Sequence, residues 1–368
     1  MKAIIRNIML LATLLLCCCT SGKQKSTDRQ DNEMQYATLL CMSDSDGVTH
    51  ITVKDPWHPG KVLQQLRLTG KAMAGKEEKG LPPLRRVVVF STAHCQLLEY
   101  LHLQDRIVGV CDLRYILIPD IQRKAKKGTI ADCGSSMAPD LEKIVSLHPD
   151  AIIASPYEGS AALEGLKRLG IPVIQAADYM ETSALGRAEW MRYYGRLFGN
   201  GRTADALFHT VDSTYHQLKS AAAKMSKGKS IITERRTGSV WYMPGGQSTI
   251  ATIIRDANGR YPFAADKHSG SLALSLEQVI GQAANSEVWA IKYNGTQPLS
   301  QAQLLQECSS YKALKAFQTG NIYECNCSTT PYFEEVSWRP DLLLREFILL
   351  LHPDANLGAL RYYKKLEK

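Results

Sequence analysis

The stretch "DLEKIVSLHPDAIIAS" at residues 140–155 returns in a related form as "SLEQVIGQAANSEVWAI" at residues 275–291. In both copies a residue that favours helix N-caps is followed by Leu and Glu, then by an apolar helical stretch and a short apolar strand. A helix that runs into an apolar strand is the repeating unit of an α/β layer with a parallel sheet. The two copies therefore predict α/β structure in both halves of the chain.

The strands and helices around each copy predict two lobes. "RRVVVFST" (85–92) is an apolar run ended by small polar residues, as buried parallel strands are, and helices alternate with strands from there to about residue 176. The pattern from 182 to 226 is helical, with one interruption near Gly199-Asn200-Gly201, and the alternation restarts with "KSIITER" (229–235). We therefore predict an α/β fold of two lobes with parallel sheets, joined by one long backbone helix, with a cleft between the lobes.

These changes of pattern also give the domain boundaries. A strand-like region precedes the first lobe, and Asp46-Gly47 within it is a hairpin-turn signal. We expect a signal peptide at 1–19, a tether with a β-hairpin extension at 20–84, an N-terminal α/β lobe at 85–181, a connecting helix at 182–226 and a C-terminal α/β lobe at 227–368.

The N-terminus predicts export and lipid attachment. "MKAIIRNIMLLATLLLCCCTSGKQ" (1–24) begins with Lys2 and Arg6 and continues with an apolar stretch too short to span a bilayer. Leu16-Cys17-Cys18-Cys19 resembles the lipobox of bacterial lipoproteins, so we expect lipidation at Cys19, or at Cys18; the alternative is a plain cleaved signal. No acidic run follows Cys19, and we expect the periplasmic face of a Gram-negative envelope, with the membrane contacted through the lipid.

Composition and cysteine spacing exclude several classes of protein. The chain of 368 residues is 45% apolar and 22% charged, and its formal charge of +8 forms no basic stripe interleaved with aromatics, so we expect no nucleic-acid partner. Cysteines beyond the lipobox are odd in number and irregularly spaced, so no zinc site is predicted. Cys325 and Cys327 lie two apart in a strand-like run and share one face. Disulfides are possible in an exported protein, but we interpret the cysteines as buried free thiols.

An ordered set of phrases resembles the periplasmic substrate-binding proteins of ABC importers for metal chelates, the group that binds siderophores, haem and vitamin B12. The resemblance runs from about residue 85 to 353. It rests on "RVVVFSTAHCQLLEYLHLQDRIVGV", "DLEKIVSLHPDAIIAS", "LKRLGIPVIQA", "EWMRYYGRLFGN", "SLEQVIGQAANSEVWAI", "LKAFQTGNIYE" and "WRPDLLLREFILLLHPD". It implies two α/β lobes on a rigid backbone helix, binding without catalysis, and a partnership with the membrane-spanning permease subunits. We expect the protein to be a monomer.

The resemblance also gives a role to the two Leu-Glu pairs. In that family each lobe presents one exposed Glu to an arginine pocket of the permease, and Glu142 and Glu277 match those positions. Independently, Asp140 and Ser275 suit N-caps, and a Glu in the first helical turn is favoured by the helix dipole. Such a carboxylate can form a bidentate, charge-assisted contact with arginine. First-turn glutamates are also common for dipole reasons alone, which is the alternative.

The ligand residues are predicted from the rule that ligands collect beyond the C-terminal ends of parallel strands. Aromatic rings there give a large contact area, and an Arg pairs with an anionic chelate. The alternative for each aromatic is a place in the core or on the surface. The predicted ligand-binding residues are Thr92, Arg114, Tyr115, Ser135, Ser136, Tyr157, Trp241, Tyr242, Met243, Tyr293, Tyr332 and Trp338.

The predicted ligand is a preformed metal chelate. We rank a ferric siderophore first, cobalamin second and haem third, the last with a Tyr or His94 as axial ligand. No set of cleft histidines and carboxylates suggests a bare-ion site, so no metal ligand and no cofactor of the protein's own is predicted. No nucleophile elbow, Walker loop or metal-hydrolase motif suggests an enzyme. The rival class is a lipoprotein of the same fold that serves a receptor or sensing complex.

Overall fold

A computed structural model describes residues 32–69 and 80–367 of the chain. The predicted signal peptide, with Cys18 and Cys19, lies outside the described residues, as does the tether up to residue 31. Within the described ranges, no helix combines the length and the apolar character needed to cross a membrane.

The N-terminal extension is an antiparallel sheet in the order β1-β2-β3. Asp46 and Gly47 connect β1 to β2 with φ angles of 50° and 77°, the positive values that a two-residue type I′ hairpin needs. The predicted turn is therefore confirmed, and β3 widens the predicted hairpin into a sheet. The strands are β1 (Leu40–Ser45), β2 (Val48–Lys54) and β3 (Val62–Thr69).

The N-terminal lobe is built on a parallel sheet in the order β10-β9-β4-β5-β6. Its strands are short and apolar, and the central ones are buried along their whole length, as a sheet covered on both faces requires. The strands of this lobe are β4 (Val87–Val89), β5 (Ile107–Val110), β6 (Ala131–Asp132), the small hairpin β7 (Gly134–Ser135) and β8 (Ala138–Pro139), β9 (Ala151–Ala154) and β10 (Val173–Gln175). The helices are α1 (Thr92–Tyr100), α2 (Pro119–Lys126), α3 (Leu141–Ser146) and α4 (Ala161–Lys167).

The helical stretch between the lobes consists of α5 (Ala184–Leu197) and α6 (Gly201–Ala223), which pack side by side. The interruption predicted near Gly199 is confirmed, because Gly199 takes a left-handed φ of 70° just after the end of α5, as C-terminal glycines do. The two helices approach so closely that a Cβ added to Gly195 would lie 2.3 Å from the Cβ of Ala204. The chain therefore folds back at Gly199 and continues along the 23-residue α6.

The C-terminal lobe has a main sheet in the order β11-β15-β16-β17 and a smaller antiparallel sheet in the order β12-β13-β14. In the main sheet β11, β15 and β16 are parallel, and β17 runs antiparallel at the edge. The strands are β11 (Ile231–Thr233), β12 (Arg236–Thr237), β13 (Val240–Pro244), β14 (Ser271–Leu274), β15 (Val288–Tyr293), β16 (Ile322–Asn326) and β17 (Lys364–Lys365). The helices are α7 (Thr249–Asp256), α8 (Leu276–Ala283), α9 (Gln301–Glu307), α10 (Lys315–Gln318), α11 (Tyr332–Glu335) and α12 (Pro340–Leu351).

One continuous core joins the extension, the helix pair and both lobes. Helix α11 packs against α1 of the N-terminal lobe, and the Trp338 indole donates a hydrogen bond to the Ala93 carbonyl at 2.6 Å. The segment around α11 is therefore a second connection between the lobes, beside α5 and α6. The predicted α/β fold with parallel sheets in two lobes is confirmed.

Candidate functional site

The N-terminal lobe has a cavity of about 380 Å³ beyond the C-terminal ends of its strands. Four of the residues predicted from the sequence line it, and Tyr115 and Tyr157 leave 59% and 37% of their surface exposed. The polar and aromatic residues of its lining include Ser91, Thr92, Asp112, Tyr115, Ser136 and Tyr157. The strand-end rule therefore predicted residues that line this cavity, and their contact with a ligand stays a prediction.

Hydrogen bonds to neighbouring carboxylates fix two hydroxyls of this cavity. Ser136 Oγ donates to Asp112 Oδ2 at 2.5 Å, and Thr92 Oγ1 donates to Glu334 Oε1 at 3.0 Å. Glu334 belongs to α11, and burial raises its pKa. The wall of the N-terminal cavity is thus tied to the C-terminal segment of the chain.

Two predicted residues of the N-terminal lobe are not part of the cavity wall. The Arg114 guanidinium lies 4.5 Å from the centre of the Tyr115 ring, a cation–π contact that holds the arginine beside the wall. Ser135 Oγ accepts a hydrogen bond from the Met137 backbone N–H at 3.2 Å. Met137, which the sequence argument missed, lines the cavity and is 65% exposed.

The C-terminal lobe has a cavity of about 540 Å³. Tyr242 and Tyr293 line it as predicted, and Tyr242 is 49% exposed. Three charged residues that the prediction missed also line it: Glu234, Arg235 and Lys292. Glu234 and Arg235 directly follow β11, so the strand-end rule applies to them. They were not predicted because only aromatic residues and their neighbours were selected in this lobe.

Glu234 and Lys292 form an ion pair in this wall. Burial by itself would lower the pKa of Lys292, but the neighbouring Tyr332 and Glu234 outweigh burial and raise it, so Lys292 is a cation. Glu234 has a φ of 60°, a strained value for a residue other than glycine, which typically persists only where the surroundings enforce it. The pair places a fixed positive charge and a fixed negative charge at the cavity wall.

The structure corrects the predictions for Trp241 and Met243. Both side chains are fully buried, and the Trp241 indole donates to the Thr233 carbonyl at 3.1 Å. Successive residues of a strand point to opposite faces, so Tyr242 faces the cavity while its two neighbours enter the core.

Trp338, Tyr332 and His94 are also corrected. Trp338 is fully buried at the junction of the lobes, and Tyr332, which is 3% exposed, packs against Tyr362 instead of lining a cavity. His94 is 2% exposed, and its Nε2 lies 2.9 Å from Asp178 Oδ1, so it has no free face for a haem iron. Trp338, Tyr332 and His94 are therefore buried residues that pack behind the cavity walls.

The two Leu-Glu helices start at the cleft edge of their lobes. Helix α3 leads into β9 and α8 leads into β15, so both helices begin beside the C-terminal ends of parallel strands. The Asp140 carboxylate caps α3 by accepting the Lys143 N–H at 3.0 Å, and Ser275, the other predicted N-cap, forms a capping box with Gln278. Glu142 and Glu277 are exposed in the first turns. Their contact with a permease stays a prediction.

Among the described residues, no three His, Cys, Asp or Glu side chains come close enough to hold a metal ion.

Comparison with known proteins decides the family. A family model described as periplasmic binding protein matches residues 87–328, well over half of the chain. The chain belongs to this family. Membership of a family of binding proteins confirms the prediction that the chain is not an enzyme.

Relatives of this periplasmic binding protein include an uncharacterized lipoprotein of Methanocaldococcus jannaschii, 25% identical over 296 residues, or 76% of this chain and 68% of the relative. A cobalamin-binding protein of Halobacterium salinarum is 25% identical over 248 residues, or 66% of this chain and 63% of the relative. A crystal structure described as an ABC-type Fe³⁺-hydroxamate transport system from Saccharomonospora viridis has the same fold, with a TM-score of 0.58 and 18% identity, and covers 81% of this chain and 97% of that one.

These relatives bear on where the binding protein acts. Its family is extracytoplasmic by name, and the Methanocaldococcus relative is called a lipoprotein, in line with the lipobox. The two relatives named above are archaeal and give no support to the predicted Gram-negative envelope.

Proposed function

We propose that this binding protein captures an iron-siderophore-type metal chelate between its lobes and delivers it to an ABC permease. The observation that carries the proposal is the way α11 joins the two cavities. Glu334 of α11 accepts the hydrogen bond of Thr92 in the N-terminal wall, and the ring of Tyr332 lies 5.5 Å from Lys292 Nζ in the C-terminal wall. A ligand that contacts both walls therefore spans the cleft between the lobes.

The chemistry of the walls favours a bulky anionic chelate. Tyr115, Tyr157 and Tyr242 offer exposed rings, which supply contact area at a low cost in side-chain entropy. Lys292 and Arg235 place cationic groups in the C-terminal cavity, paired with the carboxylates of Glu234 and Glu307, and the Arg114 guanidinium lies beside the N-terminal cavity. A flat or conjugated ligand with carboxylate, catecholate or hydroxamate oxygens matches both features.

The relatives support the same class of ligand. One is named for cobalamin binding, and the solved structure is named for transport of an Fe³⁺ hydroxamate. Cobalamin is therefore the first alternative ligand. Haem is the second, with a cavity tyrosine as axial ligand, since His94 is buried.

Delivery requires an anchor and a docking contact. We infer that lipid on Cys19, or on Cys18, holds the protein at the outer face of the cytoplasmic membrane or its equivalent, as a monomer. Glu142 and Glu277 would present one carboxylate from each lobe to the permease. The other class of function, a lipoprotein that serves a receptor or sensing complex, keeps the cleft but does not need both carboxylates.

Titration of the purified protein with cobalamins, haem and a panel of ferric siderophores tests the ligand. These chelates absorb in the near ultraviolet, so binding beside cleft aromatics quenches Tyr and Trp fluorescence. We expect saturable quenching by one ferric siderophore at low micromolar affinity or tighter, about −8 kcal/mol. Saturation by cobalamin or haem alone would replace the siderophore, and no binding by any of them in folded protein would overturn the chelate proposal.

The matched control is Trp57→Ala. Trp57 is a partly exposed aromatic in the turn between β2 and β3 and lines neither cavity. The Trp57→Ala substitution should leave the affinity for the chelate unchanged, whereas Tyr115→Ala should weaken that affinity.

A further inference from the structure

Two cysteines at the end of β16 bring their sulfur atoms together. Cys325 is the fourth residue of the strand and Cys327 follows its last residue, so both side chains leave the same face. The two Sγ atoms are 3.9 Å apart. Among the residues that the structure describes, no other pair of cysteine sulfurs is in hydrogen-bonding contact.

The two thiols differ in access to solvent. Cys325 is 1% exposed, whereas Cys327 is partly exposed. The backbone holds both in place, since β16 pairs with β15 through Cys325 and Lys292, and the Cys327 N–H donates to the Tyr293 carbonyl at 2.8 Å. Cys327 is thus the residue nearer the surface, and Cys325 is the buried one of the pair.

The surroundings favour a thiolate on the accessible sulfur. The two sulfur atoms share a hydrogen bond in which either thiol can donate, and this contact, aided by the Lys292 ammonium, lowers the pKa of Cys327 against the effect of burial. The same bond and burial raise the pKa of Cys325. Because Cys327 is also the more exposed of the two residues, we assign it as the attacking nucleophile and Cys325 as the resolving one.

We propose that Cys325 and Cys327 form a two-thiol modification site, which exchange with a low-molecular-weight or protein disulfide closes into an intramolecular disulfide. Two strand residues span about 6.6 Å, within the roughly 4.4–6.8 Å between Cα atoms that disulfides tolerate. The sulfur atoms have to approach from 3.9 Å to bonding distance, which side-chain rotation and a small contraction of the strand end supply.

The exchange has two steps. The Cys327 thiolate attacks one sulfur of the reagent disulfide, forms a mixed disulfide and expels one reagent thiolate. Cys325 then loses its proton, attacks the Cys327 sulfur and expels the second reagent thiolate. The two expelled thiolates take up the two protons that the cysteines lose, so two protein thiols are oxidised as one reagent disulfide is reduced to two thiols.

Cys41 provides a control within the same molecule. It is partly exposed, as Cys327 is, but no second thiol among the described residues contacts it. A mixed disulfide formed at Cys41 therefore has no resolving neighbour and should persist.

The test incubates the purified reduced protein with oxidised glutathione, blocks the remaining thiols with iodoacetamide under denaturing conditions and maps the peptides by mass spectrometry. We expect the peptide that contains both cysteines to be unalkylated and lighter than its reduced form by two hydrogen atoms. The Cys41 peptide should carry glutathione. In Cys325→Ser, Cys327 should keep a stable glutathione adduct, whereas Cys41→Ser should not affect closure.

The wild-type result decides the proposal even if a variant folds poorly. Alkylation of both Cys325 and Cys327, or a persistent glutathione adduct on Cys327 in the wild-type protein, would overturn it. The outcome does not depend on which ligand the cleft binds, so this proposal and the proposed function fail separately.

Discussion

Trp241 and Tyr242 are neighbours in β13 with opposite surroundings. The Trp241 ring packs 5.5 Å from the ring of Trp289 and 5.5 Å from that of Tyr311, whereas Tyr242 stands in the wall of the C-terminal cavity. Adjacent positions therefore allow stability and binding to be separated by single substitutions of similar size.

Trp241→Ala should lower the free energy of unfolding by about 3–5 kcal/mol, because it removes a fully buried ring and leaves a cavity. Tyr242→Ala should change that free energy by less than about 0.5 kcal/mol, as exposed substitutions do. It should weaken ligand binding by about tenfold, or about 1.4 kcal/mol. Denaturant unfolding and ligand titration measure the two effects; a stable Trp241→Ala protein, or an unchanged affinity in Tyr242→Ala, would contradict the assignment of faces.

The same strand shows how far the sequence predicts the site. Tyr242 lines its cavity from within the antiparallel strand β13. The strand-end rule located cavity positions that follow or end parallel strands, including Tyr115, Tyr157 and Tyr293. It did not distinguish the face that a given residue occupies, because "VWYMP" is apolar on both sides and offers no polar alternation to set the register. Trp241 and Met243 were therefore predicted at the cavity together with Tyr242, although strand geometry permits only one of each adjacent pair.

At the scale of elements, the N-terminal sheet is attached to the lobe by buried carboxylates. Glu189 Oε2 accepts the N–H groups of Tyr36 and Ala37 at 2.7 and 2.8 Å, and Glu181 Oε1 accepts that of Leu39 at 2.9 Å. The side-chain amide of Gln64 in β3 pairs with the backbone of the edge strand β10, which covers the open edge of that sheet. The extension is therefore an integral part of the lobe.

Glu181→Gln should loosen this attachment. Glu181 also accepts the Thr38 hydroxyl at 2.8 Å and the Trp190 indole N–H at 3.0 Å, and an amide nitrogen in place of one oxygen leaves buried donors without an acceptor. We expect a loss of about 1–3 kcal/mol in the free energy of unfolding and faster amide hydrogen exchange over residues 35–39.

Glu33→Gln is the matched control for that change. Its carboxylate lies at 3.6 Å from Arg192 and 3.7 Å from Arg196 and is 29% exposed, so the substitution should cost little. Equal exchange rates over residues 35–39 in the wild type and in Glu181→Gln would show that the carboxylate does not hold the extension.

The sequence indicated the strands of the extension but not its attachment. The turn at Asp46-Gly47 and the alternating apolar residues are local signals. A carboxylate that accepts backbone N–H groups some 140 positions away has no local signature, since any residue supplies the N–H.

For the whole molecule, the order of helices and strands was enough to predict two lobes, because each lobe is a local succession of strand, helix and strand. The contacts that join the lobes were not predictable in this way. Trp338 and Tyr332 were predicted at the cleft from the sequence, and only their contacts with α1 and the C-terminal tail show that they connect and support the lobes. The hydrogen bond from Thr92 to Glu334 is a further link that the sequence did not indicate.

These connections limit how far the lobes can move relative to each other. The lobes share one core through α5, α6 and the segment around α11, and large hinge motion would expose buried aromatics such as Trp338. The two exposed carboxylates that we propose as docking points, Glu142 on one lobe and Glu277 on the other, can therefore keep a nearly constant spacing. A constant spacing suits a two-point contact with a permease.

Charge reversal at both points tests that contact. The double substitution Glu142→Lys and Glu277→Lys should abolish uptake of the ligand by cells, because lysines would face the arginine pockets that the family resemblance implies. Both side chains are exposed and neither lines a cavity, so the purified variant should bind ligand with unchanged affinity. Glu164→Lys with Asp354→Lys, an exposed pair with one residue in each lobe, changes the net charge equally and should preserve uptake. If cells with Glu142→Lys and Glu277→Lys still take up the ligand while the purified variant binds it normally, the docking assignment is wrong. A role in a receptor or sensing complex is then the better supported function.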